Sequence, residues 1–144
     1  MAGPDVYFST PIIGFLRSLI FIDKMKNCVF EYLYRDASNY KAFVVLLLNG
    51  TASKSDLARI IEVLDGGEFF IAEQVGVPAL YEELWKYSNG PTEDDHVWHT
   101  FVGLRAAKES DLNEQVWGNL DELVKRFAAV RRWNLSLSPH CGTC

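Results

Sequence analysis

Two histidines and several carboxylates lie close together in one stretch of the sequence and are candidate metal ligands. The stretch contains Asp94, Asp95, His96 and His99, and Glu73 precedes it in the chain. Imidazole and carboxylate groups bind divalent ions such as zinc, and a bound ion activates water for hydrolysis. Side chains alternate along a strand, however, so His96 and His99 face opposite sides if both belong to one strand. A metal site therefore requires that His96 lie in the preceding loop.

A second polar group lies in a predicted turn between two strands. It contains the guanidinium of Arg35, the carboxylate of Asp36, the amide of Asn39 and the hydroxyl of Tyr40. Such groups at a hairpin tip can recognise a small polar ligand or a peptide. The alternative is that Arg35 and Asp36 pair with neighbouring groups, and that Asp36 and Asn39 only build the turn, because both side chains bond to nearby backbone groups.

Trp98 is the aromatic residue that fits least easily into a core. If His99 points into the core, alternation directs Trp98 to the opposite face of the sheet. A face that carries Trp98, with Tyr32 or Tyr34, would be an apolar patch of the kind that binds a protein partner or a second copy of the chain. The alternative is that the N-terminal segment, the tail or the third helix covers this face.

The three cysteines favour a reducing compartment. Cys28 lies in a predicted strand, whereas Cys141 and Cys144 form a C-x-x-C pair in the tail. An odd number is unlike a disulfide framework, and the pair has no following helix to stabilise a thiolate. We therefore expect a cytoplasmic protein with incidental tail thiols and no cofactor. The metal interpretation would add a divalent ion such as zinc.

Composition and charge narrow the classes of partner. The chain has 144 residues, of which 49% are hydrophobic and 23% charged, and its net charge is −5. These values are typical of one globular domain. The acidic balance and the lack of a dense basic patch argue against nucleic acid as a partner. The apolar run at 11–22 is interrupted by Arg17 and is too short to span a bilayer, so no membrane partner is expected.

Apolar periodicity and turn signals predict an α+β fold in the order ββαβαβα. An opening hairpin excludes an all-parallel sheet, so we predict a two-layer sandwich. In it, a four-stranded antiparallel or mixed sheet carries three helices mainly on one face. The predicted strands occupy 28–35, 40–48, 68–74 and 96–104, and the helices begin near Ser53, Pro78 and Asn119.

The predicted elements divide the chain into three parts. A single domain occupies 25–133, and a flexible tail follows at 134–144. Residues 1–24 form an N-terminal extension, which is a short docking segment, an extra strand or helix that covers the core, or sequence upstream of a natural start at Met25. Within the domain, Ser53 and Asp56 predict a helix N-cap. The following buried stripe is predicted to contain Leu57, Ile60, Ile61 and Leu64.

Three blocks of the sequence carry a resemblance to a known group. They are Phe30-Glu-Tyr-Leu-Tyr-Arg-Asp-Ala-Ser-Asn-Tyr-Lys41, Asp65-Gly-Gly-Glu-Phe-Phe-Ile-Ala-Glu-Gln74 and Asp95-His-Val-Trp-His-Thr-Phe101. In this order they resemble a family of short bacterial proteins of uncharacterised function, over about residues 27–105. The resemblance implies a bacterial, cytoplasmic origin and transfers no activity.

Two classes of function follow from these residues. The first is a non-enzymatic binding or interaction module that uses the aromatic sheet face and the polar hairpin tip. The second is a small metal-dependent hydrolase built on the histidines and carboxylates around residue 96. Because alternation separates His96 from His99, we rank the binding module first. The sequence lacks the motifs of the common nucleotide-binding, zinc-protease and esterase sites. It leaves open whether the protein is an enzyme of another kind.

Overall fold

The computed structural model describes residues 7–8, 26–88, 90–92 and 95–139 and has an α+β fold. The strands are β1 Tyr7–Phe8, β2 Asn27–Arg35, β3 Lys41–Asn49, β4 Phe69–Ile71, β5 Trp98–Ala106 and β6 Val116–Asn119. The helices are α1 Lys54–Val63, α2 Ala72–Val75, α3 Tyr81–Ser88 and α4 Leu120–Ala128, with short 3₁₀ helices at Glu109–Asn113 and Leu135–Leu137.

The sheet is open and mixed, which confirms the predicted fold class. Its strand order is β1-β3-β2-β5-β4, and β6 also pairs with β3. Strand β2 is antiparallel to both β3 and β5, and β4 is antiparallel to β5. The four predicted strands therefore form the centre and one edge of the sheet. The short strands β1 and β6 were not predicted, and both run parallel to β3 along its outer edge.

The hairpin of β2 and β3 agrees closely with the prediction. Its register runs from Asn27 opposite Asn49 to Arg35 opposite Lys41. The backbone N–H of Tyr40 donates to Oδ1 of Asp36 at 2.9 Å, which closes the turn. Asn39 has a φ of 70°, a left-handed conformation that asparagine tolerates better than most residues.

The core lies mainly on one face of the sheet, as predicted. From β2, the side chains of Phe30, Tyr32 and Tyr34 are fully buried on this face. Helix α4 contributes Leu120, Leu123, Val124 and Phe127 to this core, and Tyr81 of α3 packs on Tyr34. A smaller cluster on the other face contains Val29, Leu47, Ala107 and Leu112.

The N-cap of α1 agrees with the prediction, but one residue of its predicted buried stripe does not. Ser53 Oγ accepts from Asp56 N–H at 3.0 Å, and Asp56 Oδ2 accepts from Ser53 N–H at 3.0 Å. Ile60 is fully buried, whereas Ile61 is 42% exposed. The prediction for Ile61 was wrong because α1 turns by about 100° per residue, which carries the next side chain away from the sheet.

Three element boundaries differ from the prediction. The third strand ends at Ile71, and Ala72–Val75 forms the helical turn α2, which Gly76 closes at a φ of 72°. An apolar run does not by itself distinguish a strand from a buried helical turn. The fourth strand begins at Trp98, and the second long helix begins at Tyr81 rather than near Pro78. Neither shift alters the order of the main elements.

The chain ends are described only in part. Tyr7 and Phe8 of the predicted N-terminal extension form β1, which pairs with Phe43 and Val44. In the C-terminal segment, described to residue 139, the Asn134 N–H donates to Oε1 of Gln74 at 2.7 Å. No helix in the described ranges is long and apolar enough to cross a membrane.

Candidate functional site

A cleft of about 270 Å³ opens at the tip of the β2–β3 hairpin, and we call it the hairpin-tip cleft. It is formed by the end of β2, the turn before β4, the start of β4, the segment before β5 and β5 itself. Its lining residues are Arg35, Asp36, Glu68, Phe69, His96 and Thr100. Three of these, Arg35, Asp36 and His96, are site residues predicted from the sequence, and the structure brings them together.

The sheet register determines which side chains meet in the hairpin-tip cleft. Thr100 on β5 lies opposite Leu33 of β2 on one side and opposite Phe69 of β4 on the other. Arg35 is two residues beyond Leu33, so alternation places it on the same face of the sheet as Leu33 and Thr100. Glu68 immediately precedes Phe69 and completes the wall on the β4 side.

His96 forms a fixed wall of the hairpin-tip cleft. The Trp98 backbone N–H donates to its Nδ1 at 3.1 Å, so the ring proton is on Nε2. That Nε2 donates to the carbonyl oxygen of Arg35 at 2.6 Å. Its backbone N–H donates to the Tyr34 hydroxyl at 3.1 Å. Because both ring nitrogens form hydrogen bonds, His96 could bind a metal only after one of these bonds breaks.

Charged groups of both signs line the hairpin-tip cleft without pairing with each other. Arg35 and Glu68 are exposed, and neither side chain forms an ion pair or hydrogen bond in the part of the chain that the structure describes. Asp36 uses Oδ1 for the hairpin turn. The hairpin-tip cleft therefore offers a guanidinium and two carboxylates to a ligand.

The other two predicted residues of the hairpin tip do not line the hairpin-tip cleft. Asn39 adopts the left-handed conformation that the turn requires. Tyr40 is 37% exposed and donates its backbone N–H to Asp36. The predicted group thus divides, with Arg35 and Asp36 at the cleft and Asn39 and Tyr40 in the turn.

His99 lies on the core face and is fully buried. Its Nε2 accepts from the Leu80 backbone N–H at 3.0 Å, whereas its Nδ1 has no partner at hydrogen-bonding geometry. Desolvation lowers the pKa of His99 to about 3, an effect that the backbone of Val97 only partly offsets. The imidazole is therefore neutral at physiological pH. The rings that surround it are those of Tyr32, Tyr34, Phe70 and Tyr81.

Asp95 accepts hydrogen bonds from three directions. Its Oδ1 accepts from the Tyr34 hydroxyl at 2.7 Å. Its Oδ2 accepts from Trp85 Nε1 at 3.0 Å and from the Thr92 N–H at 2.8 Å. Burial of the Tyr34 ring, more than the hydrogen bond to Asp95, raises the pKa of Tyr34 and keeps its hydroxyl protonated.

The predicted metal ligands do not converge among the described residues. Glu73 lies on α2, where it accepts from the Tyr81 hydroxyl at 3.1 Å. His96 lies in the loop before β5, so strand alternation does not apply to it, and both imidazoles pack against the ring of Tyr34. No set of three histidine, cysteine or carboxylate residues in the described ranges is arranged to hold one ion. Asp94 lies outside those ranges, and the metal site stays a prediction.

Trp98 is half-buried rather than part of an open aromatic face. Its ring packs edge-to-face on Trp133, with centroids 6.4 Å apart. Trp133 in turn donates Nε1 to the Val63 carbonyl at 2.8 Å. The expectation that Tyr32 or Tyr34 shares the face of Trp98 was wrong, because alternation in β2 directs both tyrosines into the helix-covered core.

Of the three cysteines, only Cys28 belongs to the described ranges. It is fully buried, and desolvation, with a smaller effect of Asp56, raises the pKa of its thiol to about 12. Cys141 and Cys144 lie outside the described residues.

Glu68, Phe69 and Thr100 line the hairpin-tip cleft but were missed by sequence reasoning. One signal for Thr100 was present, since alternation places it on the same face as Trp98. No signal placed Glu68 and Phe69 beside it, because the pairing of β4 with β5 joins segments that are distant in sequence.

Comparison with protein-family models, curated proteins and solved structures found no match.

Proposed function

We propose that the protein is a non-enzymatic binding module that holds a small polar ligand in the hairpin-tip cleft. One observation carries the proposal: a single concavity gathers uncommitted charged groups from separate elements of the fold. Binding sites typically combine an apolar surface with a few convergent polar groups. Phe69 supplies apolar surface here, and Arg35, Glu68 and Thr100 supply the polar groups.

The size of the hairpin-tip cleft favours a metabolite-sized ligand. Its volume of about 270 Å³ lies just below the range of sites that hold drug-sized molecules. A second concavity of about 700 Å³ is larger, but residues 131–136 alone line it. A bend within one segment positions polar groups less precisely than a site built from several strands, so we favour the smaller cleft.

The commitment of His96 supports binding rather than catalysis. A general base must offer a free ring nitrogen to the proton that it removes. Both nitrogens of His96 already form hydrogen bonds, to Trp98 and Arg35. His99 is buried among aromatic rings and does not line the cleft. His96 lies before β5, as the metal-dependent hydrolase requires, but no three ligands converge among the described residues, so we make no second proposal.

We place this binding module in the bacterial cytoplasm. The odd cysteine count and the sequence resemblance support this location. The acidic net charge supports a small-molecule or protein partner over nucleic acid.

Backbone amide NMR tests the proposal. We would titrate ¹⁵N-labelled protein with amino acids, dicarboxylates, amines and phosphorylated sugars, each to about 10 mM, which detects Kd values in the millimolar range. At least one compound should shift the amide signals of Arg35, Asp36, Glu68, Phe69 and Thr100 together. Shifts that cluster elsewhere, or no shifts with any compound, would overturn the proposal.

A pair of variants on β5 shows whether the cleft itself is the site. Thr100→Trp fills the hairpin-tip cleft and should abolish the shifts. Val102 lies on the same strand and is 52% exposed, but it does not line the cleft. Val102→Trp should therefore leave binding unchanged. Equal binding by both variants would contradict the proposal.

A further inference from the structure

We infer that the ligand of the hairpin-tip cleft is a small zwitterion, which carries one anionic and one cationic group. This inference rests on the proposed function and specifies its ligand class. The anionic group would bind the guanidinium of Arg35, and the cationic group would bind the carboxylates of Asp36 and Glu68. The hairpin-tip cleft is lined by both signs of charge, and this is the observation from which the inference starts.

The charges in the hairpin-tip cleft are opposite but unpaired. Arg35 forms no ion pair with Asp36, its neighbour in the chain, or with Glu68 across the cleft, within the described residues. Arg105, on the same sheet, shows the contrasting arrangement, because it pairs with Glu31 at 2.7 Å and with Asp111 at 2.6 Å. The groups at the hairpin-tip cleft are thus available to a ligand, whereas those around Arg105 stabilise the fold.

The chemistry of the lining groups specifies both ends of the ligand. A guanidinium presents several N–H donors in a planar fork that matches a carboxylate or a phosphate. Two carboxylates accept hydrogen bonds from an ammonium group, which has three donors and no acceptor. A ligand with only an anionic group would leave the two carboxylates unused and bring its charge close to them. A ligand with only a cationic group would meet the guanidinium.

The neutral part of the lining fits the middle of such a molecule. Phe69 offers apolar surface, and His96 cannot compete for the ligand's charges because both of its nitrogens are committed. Thr100 contributes one hydroxyl, and its strand β5 lies between β2, which ends at Arg35, and β4, which Glu68 precedes. A short carbon chain with a charge at each end matches this order of groups.

A series of ω-amino acids tests the inference directly. We would measure Kd by amide NMR for glycine, β-alanine, γ-aminobutyrate and δ-aminovalerate, which differ in the separation of their charges. Butyrate and n-butylammonium are the matched compounds with a single charge. Each exposed charge contact contributes modestly, so the best zwitterion should bind about fivefold or more tightly than either single-charge compound.

Charge-neutral variants assign the two ends of the ligand. In Arg35→Gln, the best zwitterion should bind no more tightly than n-butylammonium. In Glu68→Gln, the difference in Kd between the best zwitterion and butyrate should become smaller. Arg59 and Glu62 are exposed residues of α1 outside the cleft and provide matched controls. Arg59→Gln and Glu62→Gln should change no Kd.

The outcomes separate this inference from the proposed function. If compounds of one charge bind the hairpin-tip cleft as tightly as every zwitterion, the inference is wrong and the binding module stands. If Arg35→Gln and Arg59→Gln have the same effect, the inference is also wrong. If no compound of any charge shifts the cleft signals, both the inference and the proposed function fail.

Discussion

The Tyr34 hydroxyl donates to Oδ1 of Asp95 at 2.7 Å, although the two residues are 61 positions apart in the chain. The same hydroxyl accepts the backbone N–H of His96 at 3.1 Å. A tyrosine of the core thus anchors the segment that precedes β5, and with it the wall of the hairpin-tip cleft. The tyrosine side of this anchor is fully buried, whereas Asp95 and His96 are half-buried.

Removing the Asp95 carboxylate should destabilise the protein. Asp95→Ala leaves the buried Tyr34 hydroxyl and the Trp85 indole N–H without their acceptor, and we expect a loss of about 2–3 kcal/mol. Denaturant unfolding measures this loss. Glu62→Ala, which removes an exposed carboxylate from α1, should cost less than about 0.5 kcal/mol. Equal losses would show that Asp95 does not anchor the segment.

Buried His99 should make the protein sensitive to acid. The unfolded chain binds a proton at this histidine near pH 6.5, whereas the folded protein does so only near its pKa of about 3. Between these values, stability should fall with decreasing pH by up to about 1.4 kcal/mol per pH unit. Unfolding curves at pH 7.5, 6, 5 and 4 measure the slope.

Variants without the imidazole isolate this effect from other titrating groups. His99→Gln retains an acceptor for the Leu80 N–H, and His99→Leu is a second replacement that cannot titrate. The slope of each variant below pH 6.5 should be smaller than that of the wild type. A slope unchanged in both variants would mean that His99 is not the group responsible.

Cys28 should resist thiol reagents in the folded protein. Burial raises the pKa of its thiol to about 12, so little of the reactive thiolate is present at neutral pH. In a Cys141→Ser, Cys144→Ser variant, Cys28 is the one remaining thiol. We expect labelling by Ellman's reagent to be at least about a hundredfold slower than for a free thiol. Denaturant should restore full labelling, and rapid labelling of the native protein would contradict the described burial.

Gly50 should not tolerate a side chain. It has a φ of +124°, and an added Cβ would lie 2.9 Å from the Cβ of Leu120. Gly50→Ala should therefore destabilise the protein by about 1–3 kcal/mol, as judged by thermal or denaturant unfolding. Gly103 provides the control, because an added Cβ there meets no atom within 4 Å. Gly103→Ala should change stability by less than about 1 kcal/mol.

Local sequence signals were sufficient for the elements whose structure depends on near neighbours. Asp36 and Asn39 indicated the turn of the hairpin, and Ser53 with Asp56 indicated the start of α1. Residues 72–75 were misassigned because an apolar run fits both a strand and a helical turn. In the structure these residues form a helical turn that ends at Gly76. Gly76 has a left-handed conformation, and its N–H donates to the Ala72 carbonyl.

The sequence predicted only part of the candidate site, because the rest depends on strand pairing between distant segments. The charges of Arg35 and Asp36 are visible in the sequence, but their partners depend on which strands become neighbours. Glu68 reaches the hairpin-tip cleft because β4 pairs with the far side of β5. A single sequence contains no direct signal for such long-range pairing. The alternation argument about His96 and His99 does not apply, because β5 begins only at Trp98.

The outer edge of β3, with which both β1 and β6 pair, also affects how readily the protein can aggregate. β1 pairs with Phe43 and Val44, and β6 pairs with residues 47–49, so the two strands cover this edge one after the other. At the opposite edge, the backbone N–H and carbonyl of Phe69 already bond to Asp65. The strands that form the new edge, β1 and β6, have only two and four residues, and short edge strands disfavour the edge-to-edge addition that begins amyloid growth.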